Sequence, residues 1–159
     1  MVTGRSGNAA DPRVDAEEAV LHDAELVSFE GLLAESDVIS LHLPVTESTE
    51  SLIDRDALAR MKPGVFLVNT ARGPVVDEDA LVHALRKRSI GGAALDVFER
   101  EPEVHAGLLE LENVVLTPHL GSGTADTREA MGELCYQGLA AVLFEHRCPA
   151  NALTPEAMR

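Results

Sequence analysis

The chain has 159 residues and a formal net charge of −14 at pH 7. This acidity argues against nucleic acid or an anionic membrane as a partner, because both are bound through basic surface. A hydrophobic content of 45% and a charged content of 25%, without a signal peptide or an apolar run of about 18 residues, predict a cytoplasmic globular domain with one core.

Predicted strands and helices alternate along the chain. Residues 1–14 are rich in Gly, Asn, Asp and Pro and are predicted as loop after the first three residues. Strands are predicted at residues 26–28, 37–43, 65–69, 93–97 and 114–116. Helices are predicted at residues 15–22, 29–36, 54–61, 77–88 and 124–146, with a short helical piece at 104–111. Asp54 and Asp77 are the expected N-caps, and the alternation indicates an α/β fold with a doubly wound parallel sheet.

The longest predicted helix, residues 124–146, carries an apolar stripe that includes Met131, Leu134, Cys135 and Leu139. We therefore expect Cys135 to be a buried free thiol. The chain has two cysteines, which are too few for a disulfide framework.

Three short stretches in the second half each join an apolar run of strand length to a polar or Gly/Pro turn. They are residues 68–73, 95–102 and 116–121. Each turn holds one chemically useful side chain, namely Arg72, Glu101 and His119. The carboxyl ends of strands line the ligand crevice of an open α/β sheet. These residues therefore suggest a carboxylate clamp with a carboxylate-oriented acid/base, a combination that suits hydride chemistry on a small oxo or hydroxy acid.

The same stretches resemble the signature of the D-isomer-specific 2-hydroxyacid dehydrogenases, including the spacings of 29 (101 − 72) and 18 (119 − 101) residues. The resemblance implies that Arg72, Glu101 and His119 are catalytic. Arg72 would bind the substrate carboxylate and carbonyl oxygen. His119 would transfer the proton, and Glu101 would hold its other ring nitrogen.

Each assignment has an alternative. Arg72 would be only a surface residue if it paired with Asp77 or Glu78. Glu99 is the competing glutamate for the place of Glu101, which we prefer because the family glutamate directly precedes a proline. Residues 77–79 are three consecutive acids, which we interpret as helix capping rather than as a metal site, so we predict no metal.

The resemblance also implies a cofactor site. Asp96 matches the residue that binds the nicotinamide carboxamide, and Thr70 and Ala71 match positions lining the nicotinamide. Other matching cofactor positions are Leu43, Pro44 and Thr49, on the adenosine side, and Gly121. The family's G-x-G-x-x-G strand and turn are missing from the 159 residues, and residues 121–126 lack the third glycine. We therefore expect residues 1–148 to be a partial NAD(P)-binding domain without its first strand and Gly-rich loop, and residues 149–159 to be a tail.

The first residues predict the choice of cofactor. Residues 1–3 resemble the end of the second strand of a Rossmann fold, where enzymes that use NAD place an Asp or Glu against the ribose 2′-hydroxyl. Here Arg5 and Ser6 follow instead, and the first acid is Asp11. Since Arg5 and Ser6 can bind a 2′-phosphate, we predict NADP(H) in preference to NAD(H).

The sequence at 118–124, followed by Thr127 and Arg128, is similar to the glyoxylate/hydroxypyruvate reductase branch of the family. The function predicted is therefore the C-terminal part of an NAD(P)H-dependent oxidoreductase that reduces a small 2-oxo acid, inactive as this chain alone and a homodimer when complete. A dinucleotide-sensing binding protein of the corepressor type is one alternative, because such proteins keep the same three residues. An inactive remnant is the other.

Overall fold

The computed structural model describes residues 2–3, 8–11, 17 and 24–153. The predicted helix at 15–22 and the predicted cofactor residues Arg5 and Ser6 lie outside the described residues. The described strands are β1 (Val2–Thr3), β2 (Asn8–Ala10), β3 (Glu25–Leu26), β4 (Val38–Leu41), β5 (Phe66–Asn69), β6 (Gly92–Leu95) and β7 (Val114–Leu116). The described helices are α1 (Phe29–Glu35), α2 (Arg55–Arg60), α3 (Glu78–Arg86), α4 (Ala106–Leu109) and α5 (Ala125–Leu143).

The described strands form one sheet with the order β3-β2-β1-β4-β5-β6-β7. The four strands from β4 to β7 are parallel and in register, so that Val38 lies beside Phe66 and Phe66 beside Gly92. Strands β2 and β3 also pair in parallel. This arrangement confirms the predicted α/β fold, and it brings the carboxyl ends of β4, β5, β6 and β7 to one edge of the sheet.

The start of the sheet differs from the prediction. We expected residues 1–3 to be the end of the second strand of a Rossmann fold. Instead β1 lies between β2 and β4 and is antiparallel to both. Asn8–Ala10, predicted as loop, is a strand in which Ala9 is fully buried. The backbone groups of β4 and β2 need hydrogen-bond partners, and this two-residue strand supplies them.

Two helix starts are the ones predicted from the sequence. The Asp54 carboxylate accepts a hydrogen bond of 2.8 Å from the Ala57 amide, and the Asp77 carboxylate accepts one of 2.9 Å from the Ala80 amide. Each satisfies an amide that the helix itself leaves without a partner. These caps confirm the N-cap predictions and fix where the helices begin relative to the sheet.

The two faces of the sheet differ in burial. One face carries fully buried side chains, among them Ile39, Leu41 and Leu67, which pack with Leu81 and Leu85 of α3 in the core. The alternate residues project to the other face. There Val38 is 44%, Phe66 54% and Val115 64% exposed. The described core is therefore built on one side of the sheet.

The chain divides into two compact units, Met1–His119 and Leu120–Arg159. The first unit holds the described sheet. In the second, α5 has one buried residue, Ala141, and Leu134 and Leu139 are 55% and 61% exposed.

The prediction that Cys135 is buried was wrong, because Cys135 is exposed. Its apolar neighbours on α5 are exposed with it, so the helical stripe does not become a core around the thiol. No helix in the described part of the chain is both long and apolar enough to span a bilayer.

Candidate functional site

The turn that carries Arg72 is held by a buried amide at the end of β5. Asn69 is 1% exposed. Its side-chain oxygen accepts a 3.0 Å hydrogen bond from the Ala71 amide, and its Nδ2 donates a 2.9 Å bond to the Arg72 carbonyl. One side chain thus fixes the backbone on both sides of residue 71. Sequence reasoning missed Asn69, although a polar residue that ends an apolar strand is a visible signal.

Arg72 is exposed, and its guanidinium donates a 2.6 Å hydrogen bond to the Ala71 carbonyl. The two acids proposed as alternative partners are engaged elsewhere, since Asp77 caps α3 and Glu78 accepts a bond from the Glu99 amide. Among the described ion pairs, none joins Arg72 to either acid. Among the hydrogen bonds of the described residues, the Arg72 guanidinium uses one of its five donors, in the bond to Ala71.

Glu101 and His119 meet across the turns that follow β6 and β7. Glu101 Oε2 lies 2.9 Å from His119 Nδ1, and Oε1 accepts a 3.1 Å bond from the Phe98 amide. The hydrogen bond to His119, with further contributions from the Phe98 amide and the charge of Arg72, holds the pKa of Glu101 below its ordinary value. An ionised carboxylate can only accept, so Nδ1 carries the proton and Nε2 is left for other chemistry.

His119 has a backbone φ of 55°, in the left-handed region. A non-glycine residue held there is uncommon, and such residues concentrate at functional sites. The His119 amide also donates a 3.0 Å bond to the Thr117 carbonyl. Glu101, and not Glu99, is therefore the glutamate that the described structure pairs with this histidine.

A cavity of about 520 Å³ opens at the carboxyl ends of β4 and β5. Its lining is formed by His42, Leu43, Pro44, Val45, Thr70, Ala71 and Arg72. Predicted cofactor positions from two separate stretches of sequence thus line one space. Ligands of open α/β sheets bind at this edge.

The remaining predicted cofactor residues are more dispersed. The Thr49 hydroxyl donates a 2.7 Å bond to the Pro44 carbonyl, so it shapes the loop rather than lining the cavity. Asp96, 6% exposed at the end of β6, accepts a 2.5 Å bond from the Thr117 hydroxyl. Gly121 belongs to the second unit.

The three consecutive acids at residues 77–79 have separate partners. Asp77 caps α3, Glu78 is buried, and Asp79 lies 3.0 Å from His105 Nε2. Within the described residues, no three His, Cys, Asp or Glu side chains are grouped so as to hold a metal ion.

Comparison with known proteins places this chain in a family. Residues 6–121 match the family model described as D-isomer specific 2-hydroxyacid dehydrogenase, NAD binding domain. The glyoxylate reductase of Thermococcus litoralis is 51% identical over 144 residues, which are 91% of this chain and 43% of that protein. The D-3-phosphoglycerate dehydrogenase of Mycobacterium leprae is 50% identical over 124 residues, 78% of this chain and 24% of that one.

A solved structure gives the same result. The NADPH-dependent glyoxylate/hydroxypyruvate reductase of Sinorhizobium meliloti, in complex with NADP and malonate, superposes with a TM-score of 0.75 at 38% identity. The match covers 85% of this chain and 41% of that structure. The chain thus spans less than half the length of these relatives. On the family model, the identities and the shared fold, the chain belongs to the D-isomer specific 2-hydroxyacid dehydrogenase family.

Proposed function

We propose that the chain is the C-terminal, cofactor-binding part of an NAD(P)H-dependent enzyme that reduces a small 2-oxo acid to the 2-hydroxy acid. The observation that carries the proposal is the 2.9 Å contact between Glu101 and His119, next to the strand end that presents Arg72. A carboxylate-held imidazole and an exposed guanidinium are the groups needed to bind and protonate a 2-oxo acid.

Each residue has a distinct part in this chemistry. The Arg72 guanidinium binds the substrate carboxylate and polarises the carbonyl oxygen. The imidazolium form of His119 donates its Nε2 proton to that oxygen and becomes neutral, and its Nδ1 proton stays hydrogen-bonded to the Glu101 carboxylate, which favours the charged form before the transfer. When bound, the nicotinamide cofactor supplies the hydride, and the residues lining the cavity beside Thr70 and Ala71 would hold its ring.

The substrate class proposed is glyoxylate and hydroxypyruvate. The similarity to the Thermococcus litoralis protein and the branch-like sequence at 118–124 support it. The sequence identity to a D-3-phosphoglycerate dehydrogenase is nearly as high. Any assay should therefore also test D-3-phosphoglycerate as a substrate. We also propose that the complete enzyme is a homodimer.

The test is a chimera in which the upstream part of the Thermococcus litoralis protein is joined to residues 1–159. Oxidation of NADPH would be followed with glyoxylate and with hydroxypyruvate, and reduction of NADP+ would be followed with D-3-phosphoglycerate. We expect turnover with the first two, and a loss of about 10²- to 10⁴-fold in His119→Gln, which lacks the transferable proton. A folded chimera that binds NADPH without turning over either acid would favour the sensing interpretation instead.

The residues 1–159 alone should not turn over substrate at a rate typical of enzymes. They contain no G-x-G-x-x-G loop to hold the pyrophosphate, and positioning contributes about 7–11 kcal/mol to catalysis. Turnover by the purified chain, measured beside the chimera, would contradict this expectation.

For the cofactor we propose NADPH over NADH. Its support is the sequence of residues 3–6, with Arg5 and Ser6 in place of an acid, and the NADP complex of a related structure. In the chimera, kcat/KM should be higher for NADPH, and Arg5→Asp should reverse the preference by repelling the 2′-phosphate. A native preference for NADH, or no change on mutation, would reject the proposal.

A further inference from the structure

Glu78 is a buried carboxylate that the proposed chemistry does not use. It is the first residue of α3 and is 5% exposed, whereas the side chain of the next residue, Asp79, is 92% exposed. Burial raises the pKa of Glu78 above its ordinary value. An acid at a helix start normally benefits from the helix dipole while it stays in water, so the burial of this one calls for a specific partner.

That partner lies on the turn that carries Glu101. The Glu78 Oε1 atom accepts a 2.8 Å hydrogen bond from the Glu99 amide, 21 residues away. The preceding amide, of Phe98, donates to Glu101 Oε1 at 3.1 Å. Two successive amides of one turn are therefore held by two carboxylates, one from α3 and one from the candidate site.

The same turn also supports Arg72. A Cβ atom placed on Gly73 would lie 1.9 Å from both the carbonyl carbon and the oxygen of Phe98, and 2.4 Å from the Glu99 nitrogen. The residue after Arg72 therefore touches the peptide that Glu78 anchors. Movement of this peptide would displace the Arg72 turn and the Glu101 carboxylate together.

We propose that Glu78 is a positioning residue, whose carboxylate fixes the Phe98–Glu99 peptide against Gly73 and so sets the placement of Glu101 on His119 and of Arg72. This inference rests on the proposed function for its catalytic meaning. The positioning of Glu101 is measurable without turnover.

The first experiment is NMR titration of the Glu101 carboxyl carbon in the 159-residue chain. Glu78→Leu removes the acceptor at similar volume, Glu78→Asp keeps the charge but withdraws it by roughly one C–C bond of about 1.5 Å, and Glu78→Gln keeps an acceptor at full reach. Asp79→Asn is the control, because it removes a charge from the same helical turn.

The midpoint of the Glu101 titration should stay below the ordinary value of 4.5 in the native chain and in the Glu78→Gln and Asp79→Asn variants. It should move up toward 4.5 in Glu78→Leu and Glu78→Asp. The reason is that Glu101 loses its alignment with His119 and the Phe98 amide. A folded Glu78→Leu or Glu78→Asp chain with the native midpoint would overturn the proposal. The charge-preserving Asp variant decides the matter if Leu does not fold.

The second experiment is kinetic and uses the chimera. Glu78→Leu should lower kcat by about 10- to 100-fold, the scale expected for a misplacement near 1 Å, and Glu78→Gln should restore most of it. Native kcat in Glu78→Leu would overturn the proposal. If the chimera with Glu78 unchanged does not turn over substrate, the proposed function is overturned instead. The NMR titration then still tests the positioning role of Glu78 by itself.

Discussion

Replacing Gly73 with alanine tests how closely the Arg72 turn packs on the turn after β6. The added Cβ would lie 1.9 Å from the Phe98 carbonyl carbon and oxygen, whereas carbon atoms pack at about 3.5–4.0 Å. One of the two turns must therefore move by more than about 1.5 Å. The obstacle is backbone, which cannot rotate away as a side chain would, so the cost should reach the top of the range of about 1–3 kcal/mol for overpacking.

Urea denaturation of the 159-residue chain gives the measurement. With a slope of about 2 kcal/mol per molar urea, a loss of about 3 kcal/mol lowers the midpoint by about 1.5 M. Far-UV circular dichroism follows both units, and the one tyrosine of the chain, Tyr136 on α5, reports the second unit by fluorescence. In the chimera, Gly73→Ala should also lower kcat by about 100-fold, because it displaces Arg72 and Glu101.

Gly132→Ala is the matched control. Gly132 lies in α5 with no atom within 4 Å of an added Cβ, so alanine should stabilise the helix by about 0.5–1 kcal/mol. Replacing glycine with alanine is thus expected to lower the free energy of unfolding at Gly73 and to raise it at Gly132. A Gly73→Ala chain that unfolds at the native midpoint would refute the close contact between the two turns.

The remaining predictions concern charge and packing. Arg72→Lys in the chimera should raise KM for the 2-oxo acid and lower kcat, because an ammonium cannot reproduce the two-pronged contact; unchanged constants would remove Arg72 from the site. Burial raises the pKa of Glu78, so its contribution to stability is present below about pH 4.5 and is lost as pH rises through the raised pKa. Glu78→Gln should therefore gain stability at pH 7 relative to the native chain. Glu101→Gln should lose stability at pH 7. The lowered pKa of Glu101 stabilises the fold above about pH 4.5, and this contribution is lost as the pH falls through the lowered pKa. Urea midpoints of the native chain and of both variants that keep constant differences from pH 4 to 8 would contradict both predictions. Leu67→Ala, at a fully buried site, should lower the free energy of unfolding by about 2–5 kcal/mol, and a calorimetric loss below about 1 kcal/mol would contradict the described core.

Features of the fold that depend on residues close together in the sequence could be predicted from it. The caps at Asp54 and Asp77 satisfy amides three residues away, so local pattern is enough to identify them. The contact between Glu101 and His119 spans 18 residues, and it was expected because two matching motifs carry its partners. Motif resemblance supplies the long-range information that periodicity lacks.

Other features could not be read from the sequence, for identifiable reasons. Glu78 looks like any acid at the start of a helix, and only tertiary packing shows that it is buried and bonded to Glu99. The strand β1, which lies between β2 and β4, has two residues, too few for a period of two to be seen. Cys135 lies on an apolar stripe of α5 but is exposed. An apolar stripe shows that one face of a helix can be buried, and it does not show that another element covers that face.

The sheet face that presents Val38, Phe66 and Val115 is an exposed apolar surface through which a bound molecule would change the stability of this polypeptide. Monomeric proteins rarely leave large contiguous apolar patches in water, and covering such a surface yields about 25 cal/mol per Å². A molecule that covered this face in the folded chain and not in the unfolded one would add, by mass action, a stabilising term that grows with its concentration. If the covering molecule is a second copy of the chain, as in the proposed homodimer, dilution should lower the melting temperature of residues 1–159.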